Sequence, residues 1–241
     1  MDTHELIAAL CVVSIAGLIR GFAGFGAALA MAPPLSIIYG PTNAIMIIAI
    51  IEVIGSLQLL PGALRVVNWR SLMPLGLSAC ITIPLGSYTI SILDPVLIQQ
   101  SIAVIVLAFC FVMLTGWSPS GQGNIYATVG TGALSGFLAG SSGMAGPPVI
   151  LYFLSSTDVA QKARANFIIF FAITGFVTLI SILSIGQVDK SNLSVVLILC
   201  PLFLIFTWLG TRFFSRASTK IFRHIALILL ISISTLSLLK T

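Results

Sequence analysis

The sequence predicts an all-α, polytopic membrane protein with about eight transmembrane helices in two parallel-repeat halves, helices 1 and 5 being broken. Three observations predict it. Of 241 residues, 58% are hydrophobic and only 7% charged. A soluble domain carries roughly 25%, so the charge available cannot coat a water-facing surface. Apolar stretches recur at lengths near the roughly 20 residues that cross a bilayer as a helix. One pattern also occurs twice: Gly21-Phe22-Ala23-Gly24-Phe25-Gly26 leading to Pro33-Pro34, and Gly136-Phe137-Leu138-Ala139-Gly140-Ser141-Ser142-Gly143 leading to Pro147-Pro148.

The first apolar run extends from Leu6 to Tyr39, interrupted only by Arg20. It is too long for one span and too short for two, so a helix plus a half-helix fits, with the glycines and Pro33-Pro34 as the break. A second span covers Ala44 to Leu60 and stops at Pro61-Gly62. Arg65, Trp69 and Arg70 mark a loop, and Leu72 to Leu93 is the third span. Asp94-Pro95 caps and starts a fourth helix reaching Leu114. The Gly/Ser-rich stretch from Gly116 to Asn124 is the linker between halves. Ile125 to Leu154 is a second broken span, Ala165 to Ile185 the sixth span, Leu193 to Phe214 the seventh and Ile225 to Leu239 the eighth.

The halves, 1–118 and 119–241, match in order. Gly17 precedes Gly21-Phe22 by four residues, as Gly132 precedes Gly136-Phe137. Pro84-Leu85-Gly86 and Trp208-Leu209-Gly210 sit late in the third and seventh spans. Four spans per half is an even number, which predicts halves of the same orientation. Placing both termini outside puts Lys162, Arg164, Arg212, Arg216, Lys220 and Arg223 inside, and leaves Arg65, Arg70, Lys190 and Lys240 outside. The early residues Asp2, His4 and Glu5 lack the positive charge of a signal peptide, so the first apolar run reads as a retained helix.

Other classes fit poorly. The net charge of +5 sits mainly in loops, where the positive-inside rule accounts for it, and no nucleic-acid motif accompanies it. Cys11, Cys80, Cys110 and Cys200 fall in apolar runs without paired spacing, so they read as buried hydrophobes. Neither His4 nor His224 has metal-ligand spacing. The sequence contains no Walker A motif, dinucleotide fingerprint or zinc-protease motif, and too few intramembrane ionisable groups for an enzyme. No cofactor, metal or catalytic residue is expected.

A Gly/Pro break frees backbone groups at membrane depth, where only protein or a wet cavity can satisfy them. Transporters place such half-helix N-termini against anionic substrates. Small residues also simply let membrane helices pack closely, and the duplication of the pattern favours a site over packing. Candidate ligands on the first segment are Arg20, Gly21, Gly24, Phe25 and Gly26; on the second they are Gly140, Ser141, Ser142 and Gly143. Arg20 is a charge inside an apolar run, and its planar fork suits an oxyanion. Glu52, the acid of the second span, either pairs with Arg20 or carries a coupling proton. Arg164 and Asn166, in the run Lys162-Ala163-Arg164-Ala165-Asn166, read either as an interfacial anchor or as a counterpart of Arg20 facing the second break. Gln58, Thr82, Thr174 and Thr178 read as helix–helix glue. The function this supports is secondary transport of a small anion, with an anion channel as the alternative and a structural membrane protein as the weaker one. The partners are that anion, the lipid bilayer, and protons or another coupling ion; a homo-oligomer stays open, and nucleic acid is not expected.

The stretch Gly17 to Gly26 with Pro33-Pro34-Leu35 resembles the first signature of the TauE/SafE sulfite exporter family. Gly136 to Pro148 resembles its partner signature, and Lys162 to Asn166 the family's basic run before the sixth span. The resemblance covers essentially the whole chain. It implies an integral protein of the bacterial inner membrane that moves sulfite, sulfonates or related organic anions, by export in some members and uptake in others. Many members carry Gly-Gly-Gly where this chain has Gly24-Phe25-Gly26, so Phe25 narrows the backbone approach or meets an apolar part of the ligand.

Overall fold

The computed structural model describes residues 3–94, 124–154, 160–186 and 193–214, together with 96–98, 100, 101, 104 and 108. Its elements are α1 (Thr3–Ala23), α2 (Ala27–Tyr39), α3 (Pro41–Ala63), α4 (Trp69–Ile92), α5 (Ile125–Ser142), α6 (Gly146–Leu154), α7 (Ala160–Ile185) and α8 (Leu193–Phe214). Five of these, α1, α3, α4, α7 and α8, are long and apolar enough to cross a membrane. The chain is thus an all-helical, polytopic membrane protein. On α4, Leu77, Ile81, Leu85, Tyr88 and Ile92 form an exposed apolar stripe of near-helical spacing that suits contact with lipid. Cys11, expected to be buried, lies on the outer surface as well. The fourth and eighth expected spans and the linker lie outside the described residues or almost so.

Both expected breaks are present, and glycines make them. Gly24 and Gly26 adopt φ of 80° and 89° between α1 and α2, and Gly143 adopts 74° between α5 and α6. These left-handed angles cost a side-chain-bearing residue about 1–2 kcal/mol. The prolines are not the breaks that the sequence suggested. Pro33 and Pro34 lie inside α2, and Pro147 and Pro148 in the first turn of α6, where a missing N–H costs little. The second span likewise runs on through Pro61 to Ala63.

Each broken segment doubles back on itself. The end of α2 returns to the start of α1, where Glu5 acts electrostatically on Tyr39. The start of α5 is tied to the end of α6 by the Thr128 Oγ1–Tyr152 OH hydrogen bond of 2.8 Å.

Helix directions follow from close contacts. A Cβ on Gly17 would meet Phe203 and Thr207, and one on Gly21 would meet Thr207 and Gly210, so α1 and α8 run parallel. Gly132, Gly136 and Gly140 meet Leu75, Ala79 and Ile83 in the same sense, so α4 and α5 run parallel. At one end Asn68 N–H donates to Asn166 Oδ1, and farther along Gly76 faces Ile173, so α4 and α7 are parallel. Arg164 near the start of α7 reaches Thr211 near the end of α8, so those two are antiparallel. It follows that α1 and α5 run in opposite directions.

The same-orientation arrangement expected from an even count of spans is therefore corrected. Each broken segment is a hairpin that adds no net crossing, which changes the parity of its half. The correction also moves Arg65 and Arg70. The α3–α4 junction lies beside the start of α7, on the face that holds Lys162, Arg164 and Arg212, and not opposite it.

Candidate transport site between the two helix breaks

Arg20 lies in the last turn of α1 and is fully buried. Its Nη1 donates to the Gly24 carbonyl at 2.8 Å and its Nη2 to Ser56 Oγ at 2.6 Å. Nη2 is also 3.1 Å from Glu52 Oε2, an ion pair without an aligned hydrogen bond. The guanidinium sits 5.0 Å from the centre of the Phe171 ring. Such a pair must exist as a unit, because removing one partner strands a buried charge at about 3–5 kcal/mol. The alternatives posed for Arg20 and Glu52 thus include a contact that the structure makes directly.

Glu52 also lies beside the start of α2: it shares a cavity wall with Ala28, whose backbone acts electrostatically on its carboxyl group. Ala28 belongs to the first turn of α2, where N–H groups lack helical acceptors and the helix dipole is positive. The positive end of the first half-helix therefore already faces a carboxyl group, that of the protein's own Glu52.

Beside this carboxylate is a cavity of about 20 Å³, room for about one water molecule. Ala28 and Glu52 line it from the first half; Gly143, Ala145, Thr174 and Thr178 line it from the second. Ala145 directly precedes α6, so the start of each half-helix borders the same space. Glu52 and Ser56 on α3, and Thr174 and Thr178 on α7, share a spacing of four residues, which places each pair on one helix face.

The remaining candidates are distributed as follows. Gly21 and Gly140 face backbone of α8 and α4, and serve close helix packing. Gly24 lies against Arg164, and Gly26 precedes α2 as its cap. Phe25 is buried edge-on against Phe167, with ring centres 4.7 Å apart, and is absent from the cavity wall. Ser141 and Ser142 donate to the carbonyls of Phe137 and Leu138, back into their own helix. Asn166 is fully buried at the α3–α4 junction, accepting from Asn68.

Arg164 faces the first break, not the second. It donates to the Gly21 and Phe22 carbonyls at the C-terminus of α1 and to Thr211, and stacks 4.4 Å from the Phe214 ring centre. A cation there satisfies carbonyls that the helix end leaves free. Thr174 and Thr178, read from sequence as glue, border the cavity, although Thr174 also donates to the Phe170 carbonyl at 3.0 Å. Their spacing in step with Glu52 and Ser56 was the signal that could have found them. Among the described residues no group of three or more His, Cys, Asp or Glu could hold a metal.

Comparison with known proteins agrees with the resemblance noted in the motifs. The model of the family described as sulfite exporter TauE/SafE matches residues 9–237. The chain is 25% identical over 184 residues to the probable sulfite/organosulfonate exporter TauE of Cupriavidus necator, covering 72% of this chain and 71% of that protein. No solved structure matches. A family match that spans nearly the whole chain settles the assignment: the protein belongs to the TauE/SafE sulfite exporter family.

Proposed function

We propose that this chain is a secondary transporter of small sulfur-containing or organic anions, of the sulfite and sulfonate kind, working mainly in export. The observation that carries the reading is the cavity at which both half-helices begin, with a buried carboxylate beside one of their N-termini. A site that sets a carboxylate beside a guanidinium and a positive helix end has the donors that a sulfite or sulfonate needs. The relative's name, an exporter of sulfite and organosulfonate, supports both the anion class and the direction. A cavity this small belongs to a closed conformation, as an alternating-access carrier has between its two open ones.

In this reading the halves 1–118 and 119–241 are inverted repeats about an axis in the membrane plane. The α3–α7 pair lies at the centre, and α1–α8 and α4–α5 are the equivalent outer pairs. The face carrying Arg65, Arg70, Lys162 and Arg212 is cytoplasmic in a bacterial inner membrane, and the N-terminus is outside. Glu52, Ala28, Thr174 and Thr178 line the substrate's place, and Arg20 stands directly behind Glu52.

Purified protein in liposomes, assayed with labelled sulfite, short alkanesulfonates and carboxylates, tests this. Saturable flux of a sulfur oxyanion above the carboxylates is the expected result. Absence of saturable flux for any of these anions contradicts it.

A further inference from the structure

We infer that the Glu52 carboxylate is a tethered stand-in for the transported anion, and that a substrate enters only by displacing it together with uptake of one proton. The inference rests on the transport reading above and adds its coupling. It stands on geometry. The Glu52 carboxylate lies 3.1 Å from Arg20 and shares a cavity wall with Ala28 at the start of α2, and that cavity is too small for any sulfonate. An incoming oxyanion needs those same donors, so carboxylate and substrate compete for them.

Among the described residues the displaced carboxylate finds no second free cation. The groups around it can be named element by element. From α1 comes Arg20, from α2 Ala28, and from its own helix Ser56. From α7 come Thr174, Thr178 and the Phe171 ring; from α5 and the second break, Ala139, Gly143 and Ala145. Helix α8, on another side of α3, brings Phe203 against Gly55, and its Arg212 stacks on Trp208 with ring centre 3.9 Å away. Arg164, close enough to Arg20 to act on it electrostatically, is committed to the end of α1. A carboxylate deprived of its partners inside a membrane protein is strongly disfavoured as a charge. It takes a proton from the water that admits the substrate.

The balance closes. Before binding, the site holds Arg20 positive and Glu52 negative. After binding, it holds Arg20 positive, the monovalent anion negative and Glu52 neutral with the added proton on a carboxylate oxygen. No net charge is gained by loading, so the loaded and empty carriers cross between their states with the same site charge. Transport is then one proton with one monovalent anion, and insensitive to membrane potential. Export proceeds whenever the outward anion gradient exceeds the opposing pH gradient.

The test uses the wild-type chain in liposomes with short alkanesulfonates, which stay ionised throughout the pH range and bring no proton of their own. A pH gradient imposed with the membrane potential clamped at zero is expected to accumulate the sulfonate on the alkaline side, roughly tenfold per pH unit at equilibrium. A potassium–valinomycin potential alone is expected to accumulate none. Sulfonate binding to the purified wild-type protein should weaken as pH rises from 6 to 8, and binding to Glu52→Gln should not change over that range. Saturable flux driven by potential and indifferent to pH overturns the coupling while leaving the transport reading intact. Absence of saturable flux for every anion overturns the transport reading itself. The wild-type arms decide the matter even if Glu52→Gln does not fold.

Discussion

Glu52 of α3 and Ala28 of α2 share one cavity wall beside the first helix break, the carboxyl group of one lying at the start of the half-helix that holds the other. An acid at the positive end of a helix is ordinary chemistry. Its position here is less ordinary, because it is buried, paired with Arg20 and bordered by the second half's break. One contact thus links the broken-helix motif to the only described acid of the second span.

Removing one member of the buried pair should be costly. Arg20→Gln is expected to lose about 3–5 kcal/mol, because Glu52 is left uncompensated. The double variant Arg20→Gln, Glu52→Gln should recover most of that stability without recovering transport. Thermal unfolding in detergent and liposome flux on the same preparations separate the two effects. A double variant that transports at the wild-type rate shows that Arg20 serves structure alone.

Close packing in the two outer pairs should be equally intolerant in each. A Cβ on Gly86 would run into the Phe137 carbonyl, and one on Gly210 into the Leu18 carbonyl, both rigid backbone. Gly86→Ala and Gly210→Ala are each expected to cost about 1–3 kcal/mol through overpacking. Gly62→Ala meets open space and should stay within about 0.5 kcal/mol of wild type. The melting temperatures of the three variants, compared side by side, check this.

Arg164 should resist conservative replacement. Its fork spans the Gly21 and Phe22 carbonyls, and its face lies on Phe214. Lysine offers a point charge without the planar fork or the stacking surface. Arg164→Lys is therefore expected to lose about 1.5–3 kcal/mol, the size of one charged hydrogen bond, and Arg164→Gln more. Stability equal to wild type in Arg164→Lys, measured by thermal unfolding, shows that Arg164 acts as a surface anchor only.

The proposed inverted arrangement, with Arg65 and Arg212 on the cytoplasmic face of an inner membrane, predicts a topology. Single cysteines at His4 and Asp94 should be labelled by an impermeant thiol reagent from the periplasmic side of intact cells. Cysteines at Arg65 and Arg212 should be labelled only after the inner membrane is opened. Labelling of Arg65→Cys from outside contradicts the placement.

Much of this was legible in the chain. Charge scarcity and apolar runs identify a membrane protein because lipid cannot solvate charge, and that signal does not depend on tertiary contacts. The two breaks were legible too, since glycine is the residue that adopts positive φ without strain. What escaped was the path after each break. A sequence shows that α1 and α2 are separate, and the electrostatic influence of Glu5 on Tyr39 shows that α2 turns back. That step, with its counterpart at Thr128 and Tyr152, fixes the parity of each half. The roles of Arg164 and Asn166 escaped for the same reason, because each acts on a distant element: Gly21 and Phe22 for one, Asn68 for the other. Ser141 and Ser142 stood inside the motif, but their hydroxyls are engaged with the preceding turn.

The proposed place of the anion is the space between the two breaks, which Thr178 lines from the second half. The direct test is Thr178→Cys in a chain whose native cysteines are replaced, reacted in membranes with an anionic methanethiosulfonate. The cysteine is expected to be labelled as the carrier opens, and a saturating short alkanesulfonate is expected to slow that labelling. Labelling at an unchanged rate in the presence of a sulfonate that the same protein transports contradicts it.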